Sequence, residues 1–182
     1  MIIDIAAGIA LALLVAHVFG FFASPLFILA GIACALFPDI YTILSRNSAL
    51  RRVIGEHRSA IHYPLPYIVI LPIVWLVFGN APVLLFSLGV FYHLAHDTFF
   101  LGYGIKWLWP FSERSFSFFH DKDGRITSDI LIWEPKDDAR IRAIYQSPHW
   151  IRDFYFRPSW ISLTEYPALV LAVILLYRHF FN

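Results

Sequence analysis

Phe91-Tyr92-His93-Leu94-Ala95-His96-Asp97-Thr98 closes a long apolar run that begins near Ala81. A helix turns once in about 3.6 residues, so His93 and Asp97, four positions apart, lie one above the other on a single face. An imidazole and a carboxylate in an apolar segment are costly unless they pair, bind a metal or line a wet cavity. His96 is read as pointing away from His93 and is assigned a structural role, as is His17 near the opposite face.

The rest of the chain fits a segment of this kind. Of its 182 residues, 59% are hydrophobic and 18% aromatic, with a mean hydropathy of +0.64. Too few charged side chains remain to cover a soluble domain, which implies an integral membrane protein. A net charge of +1 and dispersed basic residues give no polyanion-binding surface, so a nucleic-acid scaffold role is not expected. The single cysteine, Cys34, excludes an intramolecular disulfide framework.

Five apolar stretches are read as spans: residues 2–22, 25–44, 64–78, 81–101 and 164–181. The first carries no basic flank or clear small-residue cleavage site and is read as a retained helix rather than a signal peptide. Pro64, Pro66 and Pro72 predict a kinked third span. The long polar region 112–162 is expected to hold a hairpin, with strands 116–119 and 125–133 about an Asp121–Gly124 turn, and a helix over 137–145. Three units result: a four-span core over 1–111, an appendage over 112–162 and a C-terminal membrane helix over 163–182. The expected fold is therefore an all-α integral membrane protein of about five transmembrane helices with a small cytoplasmic hairpin and helix appendage.

Five spans place the amino terminus, the loop after span two and the 112–162 region on one side. That side carries every Lys and Arg of the 14 except Arg178. The positive-inside bias makes it cytoplasmic. Asp4, Asp39, His57, His62 and Asp97 all lie near that face, and His93 sits about one turn deeper. Three imidazoles and three carboxylates at one depth suit a divalent cation with mixed nitrogen and oxygen ligation: Zn2+ first, with Mn2+ or Fe2+ as alternatives. The metal candidates are Asp4, Asp39, His57, His62, His93 and Asp97, with Asp39, His57 and Asp97 also available to activate water. Asp4 is equally readable as an N-terminal helix residue favoured by the dipole. Arg58 is read as holding a substrate phosphate or carboxylate by a two-pronged contact, with a place among lipid headgroups as the alternative.

Four elements carry a family resemblance. Gly55-Glu56-His57-Arg58-Ser59-Ala60-Ile61-His62 resembles the HRxxTHS element of the YdjM-like predicted membrane-bound metal-dependent hydrolases, and Phe37-Pro38-Asp39-Ile40 resembles their LPDID element. Tyr92-His93-Leu94-Ala95-His96-Asp97 with Tyr103-Gly104-Ile105 and Trp109-Pro110-Phe111-Ser112 is similar to their HLLLD, YGI and WPFS sequence. The resemblance covers roughly residues 1–118 and implies a membrane-embedded hydrolase. Asp4, four residues before Gly8, stands where the family has a histidine, and Ile61 and Tyr63 stand where it has Thr and Ser. A more distant similarity, resting on HxxxD, to zinc phospholipases C and single-strand nucleases implies phosphodiester chemistry.

Location at a membrane face points to a lipid or small-molecule substrate, with membrane lipid as the partner. Two other classes use the same residues: a metal or proton transporter component, which needs polar groups from face to face, and a non-enzymatic scaffold binding a partner through the aromatic segment 133–160.

Overall fold

The computed structural model describes residues 2–40, 60–100, 104–120, 126–145 and 149–182. His57, Arg58 and the Asp121–Gly124 turn lie outside the described residues. The chain is mostly helical. Helix α1 spans Ile2–Phe19 and α2 spans Pro25–Leu36, continued by a 3-10 turn at Phe37–Asp39. A second 3-10 turn, Ala60–His62, leads into α3 at Pro64–Phe78, and α4 covers Asn80–Phe100. Strands β1 (Ser115–His120) and β2 (Ile126–Trp133) follow, then α5 (Asp138–Tyr145), α6 (Trp150–Tyr155) and α7 (Trp160–Phe181).

The boundaries have local causes. Ser24 caps α2 by accepting a hydrogen bond from the Phe27 amide at 3.2 Å, and Pro25 fills the first helical position, where no amide is needed. Gly79 ends α3 at φ +82°, a left-handed conformation that favours glycine. Ser159 and Ser162 cap each other at the start of α7.

Among the described residues, only α1 and α7 are both long and apolar enough to cross a membrane by themselves, against the five spans read from sequence. The physical reason is length and polarity. Helices α2 and α3 have 12 and 15 residues, so at 1.5 Å per residue they rise only about 18 and 22 Å against roughly 30 Å of hydrocarbon. Helix α4 has 21 residues but carries His93, His96 and Asp97. The expected second span also reached residue 44, and 41–44 lie outside the described residues.

Helix α1 packs on α2, α4 and α7, α2 also packs on α4, and α3 rests on α4. Small residues set the closest approaches. A Cβ added at Gly8 would lie 2.6 Å from the Ile32 Cα, and one at Gly89 3.0 Å from the Ala35 amide nitrogen. Backbones therefore touch where α1 crosses α2 and where α2 crosses α4, the usual small-residue packing of membrane helices. The core between them is apolar: Ile9, Ala12, Val15, Ala16, Ile28, Leu85 and Ala172. Large side chains such as Leu26, Leu76, Phe91 and Leu163 face outward, an exposed apolar surface well beyond what a soluble monomer carries.

The hairpin forms as the sequence predicts, antiparallel with Ser115 opposite Trp133 and an irregularity between Phe118 and His120. It is moored to the bundle by the Ile105–Phe116 bridge, whose two backbone hydrogen bonds measure 2.8 and 3.0 Å. Trp133 is buried, packs against Gly104 and donates its indole N–H to Asp138. It thus packs between the hairpin and the start of α5.

Candidate metal centre

Up-and-down packing collects helix ends. The start of α1, the end of α2, the turn before α3, the end of α4 and the first turns of α7 all meet at one end of the bundle. They deliver Asp4, Asp39, His62, the His93–His96–Asp97 set and Glu165.

The tightest group is Asp39, His62 and His93, whose ligand atoms all lie within 4.8 Å of one another. Asp39 Oδ1 is 3.6 Å from His62 Nε2 and 3.8 Å from His93 Nε2. Asp97 Oδ2 faces the same two nitrogens at 4.0 and 3.7 Å. Around a tetrahedral ion with bonds of roughly 2.0–2.1 Å, neighbouring ligand atoms stand about 3.3–3.4 Å apart. The four groups enclose a space slightly wider than that. His93 is 1% exposed, and its Nε2 has no hydrogen-bond partner among the described residues. Buried imidazole nitrogens and carboxylate oxygens facing one gap are a donor set that fits a borderline divalent cation.

Two of the donors sit beside braced backbone. The Tyr67 hydroxyl donates to the Ile61 carbonyl and so fixes the turn that carries His62. Thr98 Oγ1 donates to the Leu94 carbonyl at 2.8 Å and accepts from the Trp107 indole at 2.9 Å, which ties Trp107 to the end of α4 next to Asp97. Asp39 is the half-buried member, its side chain 24% exposed, so the group opens past it.

Asp4 occupies a different place from the ligand position expected of it. It is 1% exposed, and its Oδ1 faces His93 Nδ1 at 3.3 Å, whereas Asp39 and Asp97 face Nε2. His96 lies closer to His93 around the helix than the sequence reading placed it. An i, i+3 step leaves it only about 60° around the helix from His93. Its Nδ1 lies 3.7 Å from Asp4 Oδ1 and its Nε2 3.6 Å from Glu165 Oε1.

Glu165 was not singled out in the sequence, where it sits at the edge of the last apolar run. A lone carboxylate one turn inside a membrane-length helix is the signal that marks it. It is 1% exposed, and its Oε2 accepts from the Ile3 amide at 3.1 Å and the Tyr155 hydroxyl at 3.0 Å. Burial and the neighbouring Glu165 charge hold the Tyr155 phenol above its ordinary pKa. His17 is exposed at the far end of α1, away from this group.

The model of the YdjM inner membrane protein family matches residues 2–180. The chain belongs to that family. The match takes in α7 and Glu165 as well as the four elements that carry the resemblance. No match was found among curated proteins or among solved structures. Family membership makes this an inner membrane protein, which accounts for the outward-facing apolar side chains of α1, α3 and α7.

Proposed function

We propose that this family member is a metal-dependent hydrolase of the inner membrane, acting at the cytoplasmic face on a phosphoester of a membrane lipid or lipid-linked molecule. The observation that carries the reading is the Asp39–His62–His93 group with Asp97 beside it, at one end of an otherwise apolar bundle.

Asp39 Oδ1, His62 Nε2 and His93 Nε2 would hold the ion, with Zn2+ favoured and Mn2+ or Fe2+ admitted by the carboxylates. Bound there, it would supply Lewis acidity and water acidified toward neutrality. Asp97 has two available roles: a fourth ligand, or the base whose Oδ2 takes up the water's proton. Asp39, at the exposed side, borders the path by which substrate enters.

A lipid substrate is supported by a cleft of about 350 Å³ between α3 and α4. Pro64, Tyr67 and Leu71 line one wall and Val90, Phe91 and Leu94 the other, so it begins two residues from His62 and one from His93. Ile68 and Phe91 at its rim are exposed, which opens it sideways toward hydrocarbon. An acyl chain in that cleft would bring its headgroup ester to the ion.

In this reading α1, α2 with its 3-10 turn, α3, α4 and α7 are all embedded. The bundle spans with α1 and α7 at full length, and the shorter helices are shielded by their neighbours. The basic residues of the loops orient the site end and the amino terminus to the cytoplasm. A transporter would need polar groups through the bundle, whereas the described core beyond Asp4 is apolar.

The test is elemental analysis of protein purified without a histidine tag, beside His62→Ala and His93→Ala, followed by phosphate release from mixed phospholipid vesicles. The expected result is about one equivalent of Zn2+ per chain in the parent, lost in both variants, with cleavage tracking metal. Equal metal in all three would remove the hydrolase reading. Metal without cleavage of any phosphoester or carboxylic ester would turn it toward transport.

A further inference from the structure

Behind His93, on the side away from the proposed ion, lies a second set of buried polar groups that the proposed chemistry does not use. It runs from His93 Nδ1 to Asp4 at 3.3 Å, from Asp4 to His96 Nδ1 at 3.7 Å, and from His96 Nε2 to Glu165 at 3.6 Å. It ends at the Tyr155 hydroxyl and the Ile3 amide. Asp4, His96 and Glu165 are 1%, 5% and 1% exposed. We infer that Glu165, His96 and Asp4 form a positioning chain that holds the His93 ring with Nε2 toward the cation. Helix α7 thereby sets the affinity of a site to which it gives no ligand. The inference rests on the metal-site reading above.

Three observations support it. A carboxylate at Nδ1 draws the ring proton to that nitrogen and leaves the Nε2 lone pair for a metal, the common arrangement behind ligating histidines. Among the described residues, the site end also holds four carboxylates, Asp4, Asp39, Asp97 and Glu165, against three imidazoles, His62, His93 and His96. Carboxylates in that excess, three of them buried, call for a cation among them. Finally, each link is itself oriented. Tyr92 stacks parallel to His96 with ring centres 6.2 Å apart, and Glu165 Oε2 is saturated by its two donors, so that Oε1 is the oxygen turned to His96.

A purely structural role is the rival. Glu165 also accepts from the Ile3 amide, one of the first four amides of α1 that have no partner within their own helix, and this bond alone would tie α7 to α1. The experiment therefore reads the metal, not the fold. Zn2+ affinity is measured by chelator competition, and the visible spectrum of the Co2+-loaded protein is recorded, for the parent, Glu165→Leu and Glu165→Gln. Leucine fills the space without an acceptor, and glutamine restores one. The expected result is a loss of Zn2+ affinity of roughly 10-fold or more in Glu165→Leu with a shifted Co2+ spectrum, and recovery to within about threefold in Glu165→Gln. Parental affinity and an unshifted spectrum in folded Glu165→Leu would overturn the inference while leaving the metal site standing. A parent that binds neither ion would overturn both. If Glu165→Leu does not fold, Tyr155→Phe decides. It removes a donor outside the bundle, and a shifted Co2+ spectrum supports the chain whereas an unchanged one overturns it.

Discussion

The two ends of the helical bundle handle histidine in opposite ways. At the far end, His179 lies against the Ala23 carbonyl at 3.0 Å and stacks on Phe22, and His17 is exposed. At the site end, His62, His93 and His96 are buried among four carboxylates, and His93 Nε2 and His62 Nδ1 make no hydrogen bond among the described residues. One carbonyl and one ring are enough to accommodate an imidazole at a helix terminus. The site end instead gathers charges from five separate elements and leaves a gap between them, which is costly unless something fills it. The contrast is what the proposed metal site requires of Asp39, His62 and His93, a group that could hold an ion.

The comparison breaks most directly at His93. His93→Ala should take Zn2+ content from about one equivalent to less than about a tenth, because it removes a ligand and the link to Asp4 together. Metal retained in that variant would make the two ends equivalent. Next in size is the α1–α2 crossing that delivers Asp4. Gly8→Val forces a side chain against the Ile32 backbone, and overpacking of that kind should cost about 1–3 kcal/mol, read as a lower melting temperature in detergent. Parental stability would mean that the close crossing is not what brings the site end together. Asp4→Asn keeps shape and removes charge. Zn2+ affinity should fall roughly 10-fold with the ligands intact, measured by the same chelator competition, and a complete loss would return Asp4 to the ligand role read from sequence.

Much of the site end is legible in the residues themselves. Five apolar runs taken in up-and-down order send Asp4, Asp39, His62 and Asp97 to one end. The hairpin follows from its alternating strands, and α3 from Pro64 and Gly79. Other features need distances between elements. Asp4 reads as either ligand or helix-start residue because sequence gives its depth but not which edge of the His93 ring it meets. His96 reads as structural because one face of α4 is taken as the site, whereas α1 and the start of α7 approach a second face. Glu165 lies beyond the elements that carry the resemblance, at a boundary drawn one residue before it. Of the five spans, the described residues give two at full length, because α3 has only 15 residues and the expected second span runs on from α2 into a stretch outside the described residues.

The smallest expected effect is the control for all the others. His17→Ala alters an imidazole on the same helix as Asp4, but at the end where no carboxylate approaches it among the described residues. An exposed terminal substitution should change stability by no more than about 0.5 kcal/mol. Zn2+ content and the Co2+ spectrum should match the parent. A measurable loss of metal would mean that ions bind nonspecifically to imidazoles along the bundle, and the losses at His93 and Asp4 would then no longer report a built site. With His17→Ala silent and Asp4→Asn impaired, two substitutions on one helix separate the effect of position from that of residue type. That separation is what the contrast between the two ends requires.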